Sequence, residues 1–316
     1  MMLLEIFKNI VYYEVFPIPS IRNEFYLNYI EIVMKGEQKN LTVPEVAVRS
    51  SIQIFLAAKT DMKPIGFGSG CILFHRDRYF LVSVRHVTED DTLGTYLETG
   101  IPSEEEGKPG FMLKPMGGLC YFDLYKVSNA KEIKELDDLF KAGEKMDITF
   151  AEIKENFELR QEELDFKAFK ISQGHKMILD SRNIVEPSPE KTYCFFGRIR
   201  PDYSGMQLKM ENTFKHSIKF HGTNKSFQLF VSPQVITDKY DYKGCSGAPI
   251  VDSDGFLVGL VSKVLVPSKV IYGFSFIECI KLLDLAIDTG MLSNEIPIAP
   301  QPIIPKEASD TDMENI

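Results

Sequence analysis

KGCSGAPIV, residues 243–251, decides how the rest of this 316-residue chain is read. Ser246 stands between Gly244 and Gly247, and Pro249 opens an apolar strand. A serine hydroxyl is a weak nucleophile until a base takes its proton, and the oxyanion formed on attack needs inward-pointing backbone N–H groups. Flanking glycines remove the side chains that would obstruct so tight a turn, which makes Gly244 and Ser246 the expected oxyanion donors. Taken alone, the same residues also fit an ordinary Gly-Ser turn between two strands.

Upstream lie the two groups a nucleophilic serine requires. RYFLVSV (78–84) is an apolar run of strand length, and Arg85-His86 follows it. Asp147 opens DITFAEI (147–153), which alternates as a strand. Each has an ordinary alternative, His86 as a core histidine and Asp147 as a turn residue. Together they place a base and a carboxylate in the order His, Asp, Ser. His75, His175, His216 and His221 have no comparable context and read as surface or core residues. The body around them is strand-rich. VAVRSSIQIFLAAK (46–59) reads as successive strands, as do 191–200, 212–222, 226–232 and the runs after Pro249, with a hairpin turning at Gly222-Thr-Asn. One helix over 277–289 carries Phe276, Ile280, Leu283 and Ile287 on a single face, with Gly290 as its C-cap. No repeat of solenoid period is visible, which favours an all-β barrel or sandwich with insertions.

At these positions the sequence resembles the chymotrypsin/trypsin-like serine peptidases, especially the bacterial branch that includes the HtrA-like proteins. GSGCILF (68–74) is similar to the family's Gly-Ser-Gly strand opening, LVSVRHV (81–87) to its Thr-Ala-x-His segment, and DITFAEI to Asp-Ile-Ala-Leu. GCSGAPIVDSDGFLVGLVS (244–262) is similar to Gly-x-Ser-Gly-x-Pro and the hairpin after it. The resemblance spans about residues 45 to 290. It implies an all-β fold of two six-stranded antiparallel β-barrels with a C-terminal helix and inserted loops and a helix. His86 and Asp147 would come from the first barrel and Ser246 from the second. His86 would then be general base and acid, Asp147 would hold its tautomer, and Ser246 would form an acyl-enzyme. Ser262, Lys263 and Val264 would form the strand on which substrate backbone pairs, and 272–276 the far wall of the specificity pocket. Tyr240, six before the nucleophile, falls at the pocket base and would favour small or medium apolar side chains. Asp241 or Asp238 turned inward would instead select Lys or Arg.

Departures from the family pattern carry their own implications. Cys245 stands where activated digestive enzymes have the Asp that pairs with a new amino terminus, which argues against zymogen cleavage of that type. Val87 replaces the cysteine that commonly follows the histidine, and Val84-Arg85 replaces two alanines, so Arg85 must point outward or pair with an acid. Because Gly247 follows the nucleophile position, Ser246 and not Cys245 occupies the elbow, and Cys245 reads as a packed thiol.

Composition bounds the rest. With 45 acidic and 36 basic residues the net charge is −9, which argues against nucleic-acid binding by bulk charge. FKHSIKFHGTNK (214–225) accordingly reads as a solvated hairpin, and GTNKS lacks the glycines of a phosphate loop. The five cysteines, Cys71, Cys120, Cys194, Cys245 and Cys279, are odd in number and widely spaced, which suits buried free thiols and no metal site. Residues 1–44 read as an extension packing on the core, since Glu5, Lys8 and Glu14 interrupt the apolar start and no signal cleavage site is present. No run approaches the length of a membrane helix, so a cytoplasmic setting is expected. Residues 88–118 read as a long surface loop, 129–145 as an amphipathic helix, and 291–316 as a Pro-rich acidic disordered tail, leaving 45–290 as the peptidase-like domain.

The expected protein is a serine endopeptidase without cofactor or metal, acting on a protein or peptide substrate. It carries no zymogen device and no expected PDZ-like domain after residue 290. Control by an activating protein partner is therefore expected, as in a bacterial effector or defence component. The alternatives are a catalytically weak scaffold of the same fold serving as a protein-binding module, and an esterase or acyltransferase using the same triad.

Overall fold

The computed structural model describes residues 41–58, 63–90, 92–102, 111–117, 119–121, 146–154, 157–204, 207–224, 226–290 and 292. The extension up to residue 40, the helix expected over 129–145 and the tail from 293 lie outside the described residues.

The first element corrects the sequence reading. Residues 46–50, expected as strand, belong to helix α1, Val43–Ser50. Its β-branched content suits a strand, but Thr42 and Glu45 form a reciprocal capping box. The Thr42 hydroxyl accepts from Glu45 N at 3.4 Å, and the Glu45 carboxylate accepts from Thr42 N at 2.9 Å. Such a cap stabilises a helix by about 1 kcal/mol. Burial of Val46, Ala47 and Val48 supplies the rest.

Strands β1 (Ile52–Ala58), β2 (Pro64–His75) and β3 (Arg78–Ser83) follow, then the short helix α2 (Arg85–Thr88). After it come β4 (Leu93–Pro102), β5 (Phe111–Gly117), β6 (Cys120–Tyr121) and β7 (Thr149–Ile153). They form one antiparallel sheet in the order β5-β4-β1-β2-β3-β7-β6. The presence of β4 and β5 corrects the expected 88–118 loop. Gly94, Gly100 and Pro102 obscure the alternation, yet Tyr96 and Leu97 are buried and β4 pairs with β1 from Leu93 to Leu97. The charged stretch that follows holds only short strands, β8 (Arg160–Gln161), β9 (Leu164–Asp165), β10 (Lys170–Ile171), β11 (Gly174–His175) and β12 (Leu179–Asp180), the last parallel to β2.

The second unit is a closed barrel of β13 (Thr192–Ser204), β14 (Gln207–Asn224), β15 (Phe227–Ile236), β16 (Pro249–Asp252), β17 (Leu257–Val264) and β18 (Ser268–Ser275). Its strands close in the order β13-β14-β15-β18-β17-β16. Tyr193, Phe195, Phe230, Ile250 and Val258 fill its interior. β14 continues past Gly222, where its register with β15 shifts, so the hairpin turns beyond Asn224 and not at Gly222. One closed six-stranded barrel is thus present. Among the described residues the first unit is a sheet whose outer strands β5 and β6 are not paired with each other.

The helix expected over 277–289 is α3, Phe276–Asp288, which buries Phe276, Cys279, Leu282, Leu283 and Ala286 into a core shared with β2, β3 and β7. His75 ties this helix to the end of β2. Its Nδ1 lies 3.0 Å from Ser181 Oγ and its Nε2 lies 2.9 Å from Asp284 Oδ1. All five cysteines are free.

Candidate active site

The site forms where the first sheet meets the barrel. β3 delivers the chain to α2, and His86 sits in the first turn of that helix. Arg85 beside it pairs with Glu89 at 3.4 Å, the acid its position requires. Asp147 lies just before β7, the neighbour of β3, so adjacent strands bring the two residues together. His86 Nδ1 is 3.0 Å from each Asp147 oxygen, and His86 N–H donates to Asp147 Oδ1 at 3.2 Å. A third donor comes from the barrel. The Ser262 hydroxyl reaches Asp147 Oδ2 at 2.5 Å. Burial by itself would raise the Asp147 carboxyl, but the hydrogen bonds and charge of His86, with the Ser262 hydroxyl, outweigh it and hold the group below the usual carboxylate range.

Ser262 owes its aim to an irregularity in β17. Val261 pairs with Gly273 and Lys263 with Tyr272, leaving Ser262 as the extra residue on its strand. Such a bulge re-aims a side chain without ending the ladder. The same residue holds the nucleophile candidate, because Ser246 Oγ donates to the Ser262 carbonyl at 3.0 Å. Among the described residues no hydrogen bond joins Ser246 to His86, although both line one cleft.

The loop bearing Ser246 is fixed from the first sheet. Ser69 N–H donates to the Ser246 carbonyl at 2.7 Å, and Ser69 Oγ donates to the Gly244 carbonyl at 2.7 Å. Ser83 Oγ in turn donates to the Ser69 carbonyl at 2.7 Å. Two glycines are obligatory here. At Gly247, with φ +88°, a Cβ would fall 1.9 Å from the Ser69 carbonyl oxygen. At Gly244, with φ +111°, it would fall 2.0 Å from that of Arg198. The Gly244 carbonyl is turned to Ser69 while Cys245 N–H donates to Tyr242 O at 2.9 Å. Among the described residues, the Gly244 and Ser246 N–H groups donate to no backbone carbonyl. Behind the loop, Arg198 is clamped by Glu98 at 2.6 and 2.7 Å and by Glu162.

A cleft of about 310 Å³ opens in front of these groups. His86, Tyr240, Ser246, Ser262, Lys263 and Val264, all singled out in the sequence, line it. So do four residues that sequence reasoning did not select, Lys239, Tyr242, Lys243 and Val261. Beyond the bulge at Ser262, strand β17 pairs with β18 at Lys263 and Val264 but has run past β16, which leaves one edge open to the cleft. Tyr240 is half exposed. Asp238 and Asp241 do not line the cleft, since Asp238 caps Tyr240 N–H at 2.9 Å and Asp241 pairs with Arg200 at 2.5 Å. Cys245 is fully buried, and burial pushes its thiol up to about 12. No cluster suited to a metal ion occurs among the described residues.

No family model and no curated protein matches the sequence. Among solved structures, the chain is similar to a serine endoprotease from Yersinia pestis at 14% identity and TM-score 0.45, covering 80% of this chain and 69% of that one. It is also similar to the MamO protease domain from Magnetospirillum magneticum in its apo form, at 11% identity and TM-score 0.38, covering 75% and 97%. A third is the tobacco vein mottling virus protease, at 12% identity and TM-score 0.37, covering 75% and 81%.

The hydroxyls of Ser69, Ser83 and Ser262 were the residues that sequence reasoning left without a chemical role. Ser69 and Ser83 stand inside the quoted family-like segments, and Ser262 was chosen only for its backbone. The signal available was a serine in three of the four motifs, DITFAEI having none.

Proposed function

We propose that the chain is a serine endopeptidase, with Ser246 as nucleophile, His86 as general base and acid, and Asp147 as the group that orients and stabilises the imidazole. The observation that carries this reading is the His86–Asp147 pair, joined by Ser262 and opening on the same cleft as Ser246. In the reaction, Ser246 Oγ releases the Ser262 carbonyl, gives its proton to His86 Nε2 and bonds to the substrate carbonyl carbon. Gly244 and Ser246 N–H groups, which have no backbone acceptor among the described residues, receive the oxyanion. His86 then protonates the leaving amine, and water, deprotonated by His86, releases the acid from the acyl-enzyme. The open edge of β17 at Ser262, Lys263 and Val264 pairs with substrate backbone as an added strand.

A fluorophosphonate probe tests the assignment. Labelling of Ser246, located by mass spectrometry, is expected in the wild type, absent in Ser246→Ala and sharply reduced in His86→Ala. The bond from Ser246 to the Ser262 carbonyl favours a second reading, a scaffold that binds proteins without efficient catalysis and awaits an activating partner. Absence of labelling in purified protein that cell lysate restores would support partner activation, and absence in both would support the scaffold. Turnover of small esters with no peptide cleavage would make the same triad that of an esterase.

A further inference from the structure

Resting on the peptidase reading, we infer that the cleft takes an acidic side chain, Asp or Glu, beside the bond it acts on. The chain as a whole carries net charge −9, yet among the described residues its cleft is lined by Lys239, Lys243 and Lys263 and by no Asp or Glu. All three lysines are exposed. Among the described residues none of them is ion-paired with a carboxylate. The two acids nearest in sequence are engaged elsewhere, Asp241 by Arg200 and Asp238 as the cap of Tyr240 N–H.

Aromatic rings hold the three ammonium groups without neutralising them. Lys239 Nζ and Lys243 Nζ each lie 5.7 Å from the centre of the Tyr240 ring, and Lys263 Nζ lies 5.0 Å from that of Tyr272 and 5.4 Å from that of Phe227. Positive charge therefore lines the same cleft as Ser246, from the segment before it and from strand β17. Lys243 directly precedes Gly244 of the oxyanion loop, and Lys263 follows Ser262, whose carbonyl holds Ser246 Oγ. A cleft lined by one sign of charge concentrates its field, so a carboxylate gains there what a neutral side chain does not, and a cationic side chain is repelled. The cleft that Tyr240 lines thus selects by charge at its rim.

The test uses Ser246→Ala protein, which binds without turnover, and three dye-labelled peptide mixtures with neutral random flanks and a central Glu, Gln or Lys. By fluorescence anisotropy at low salt, the Glu mixture is expected to bind at least about five-fold tighter than the Gln mixture, with Lys weakest. The advantage should shrink at about 0.3 M salt. It should disappear when Lys243→Gln and Lys263→Gln are combined, and persist when Lys209→Gln and Lys281→Gln are made outside the cleft. Equal affinity for Glu and Gln, a preference for Lys, or no binding of any mixture would overturn the inference. Fluorophosphonate labelling of the wild type separates this from the underlying reading. Glu preference without labelling refutes catalysis and leaves an acidic-peptide cleft, whereas labelling without Glu preference refutes the cleft chemistry and leaves the peptidase.

Discussion

Replacing Ser262 by alanine removes one hydroxyl from the site and leaves the backbone carbonyl that receives Ser246 Oγ. The lost bond is the 2.5 Å contact to Asp147 Oδ2, while His86 keeps its two 3.0 Å contacts and the 3.2 Å bond from its backbone. A hydrogen bond to a charged group is worth about 1.5–3 kcal/mol. If that energy is expressed in the transition state, where an imidazolium forms against the carboxylate, the rate falls by about 10- to 150-fold. His86 still orients the carboxylate, so the loss stays below the roughly 10⁴-fold expected when the carboxylate itself is replaced by an amide. The Asp147 carboxyl also loses one of the groups that hold it down, so activity should be lost at a higher pH on acidification. The second-order rate constant of fluorophosphonate labelling, followed from acid to neutral pH and paired with a urea unfolding curve, measures both effects. A folded Ser262→Ala protein that labels at the wild-type rate with an unchanged pH profile would refute the role given to this hydroxyl.

Gly247→Ala places a Cβ 1.9 Å from the Ser69 carbonyl and 2.3 Å from Ser83 Oγ at a positive φ, so labelling should vanish and stability fall by more than about 2 kcal/mol. Gly222→Ala, which meets nothing within 4 Å, serves as the control and should retain both properties. Cys245→Ala should keep phosphonate labelling within about three-fold at a cost near 1 kcal/mol, and native Cys245 should resist alkylation at neutral pH; loss of labelling in this variant would displace Ser246 as nucleophile. Because the Asp147 pKa is lowered in the folded chain, its contribution to stability is present above the ordinary carboxylate range and fades only as pH falls through that lower value. The unfolding free-energy difference between wild type and Asp147→Asn should therefore narrow at the acid end alone, and a difference independent of pH would contradict the pairing.

Much of the barrel and the residues around the cleft could be read from the sequence because their signals are local. Half-buried strands alternate, and Ser246, His86 and Asp147 each sit at the end of a recognisable run. Two kinds of signal escaped that reading, a local cap and long-range pairing. The capping box at Thr42 and Glu45, three residues apart, overrode the β-branched residues of α1, and pairing with β1 made strands of β4 and β5 despite Gly94, Gly100 and Pro102. His75 gave no hint of its partners, since Ser181 and Asp284 come from segments about a hundred and two hundred residues away. The charge of the cleft was hidden for the same reason. Lys239, Lys243 and Lys263 converge in space while the chain's totals point to acidity.

The attachment of the Ser246 loop to Ser69 gives the proposed site a dependence on the order of the chain's own synthesis. A ribosome makes Ser69, His86 and Asp147 before Ser246, so the proposed base and its carboxylate are built first and the turn of the proposed nucleophile is added last. That turn takes its shape from contacts with β2, at Ser69 N–H and Ser69 Oγ, and not from the barrel alone. A nascent chain whose halves have not yet docked therefore exposes a serine with no rigid oxyanion loop, and competence arrives only with the completed junction.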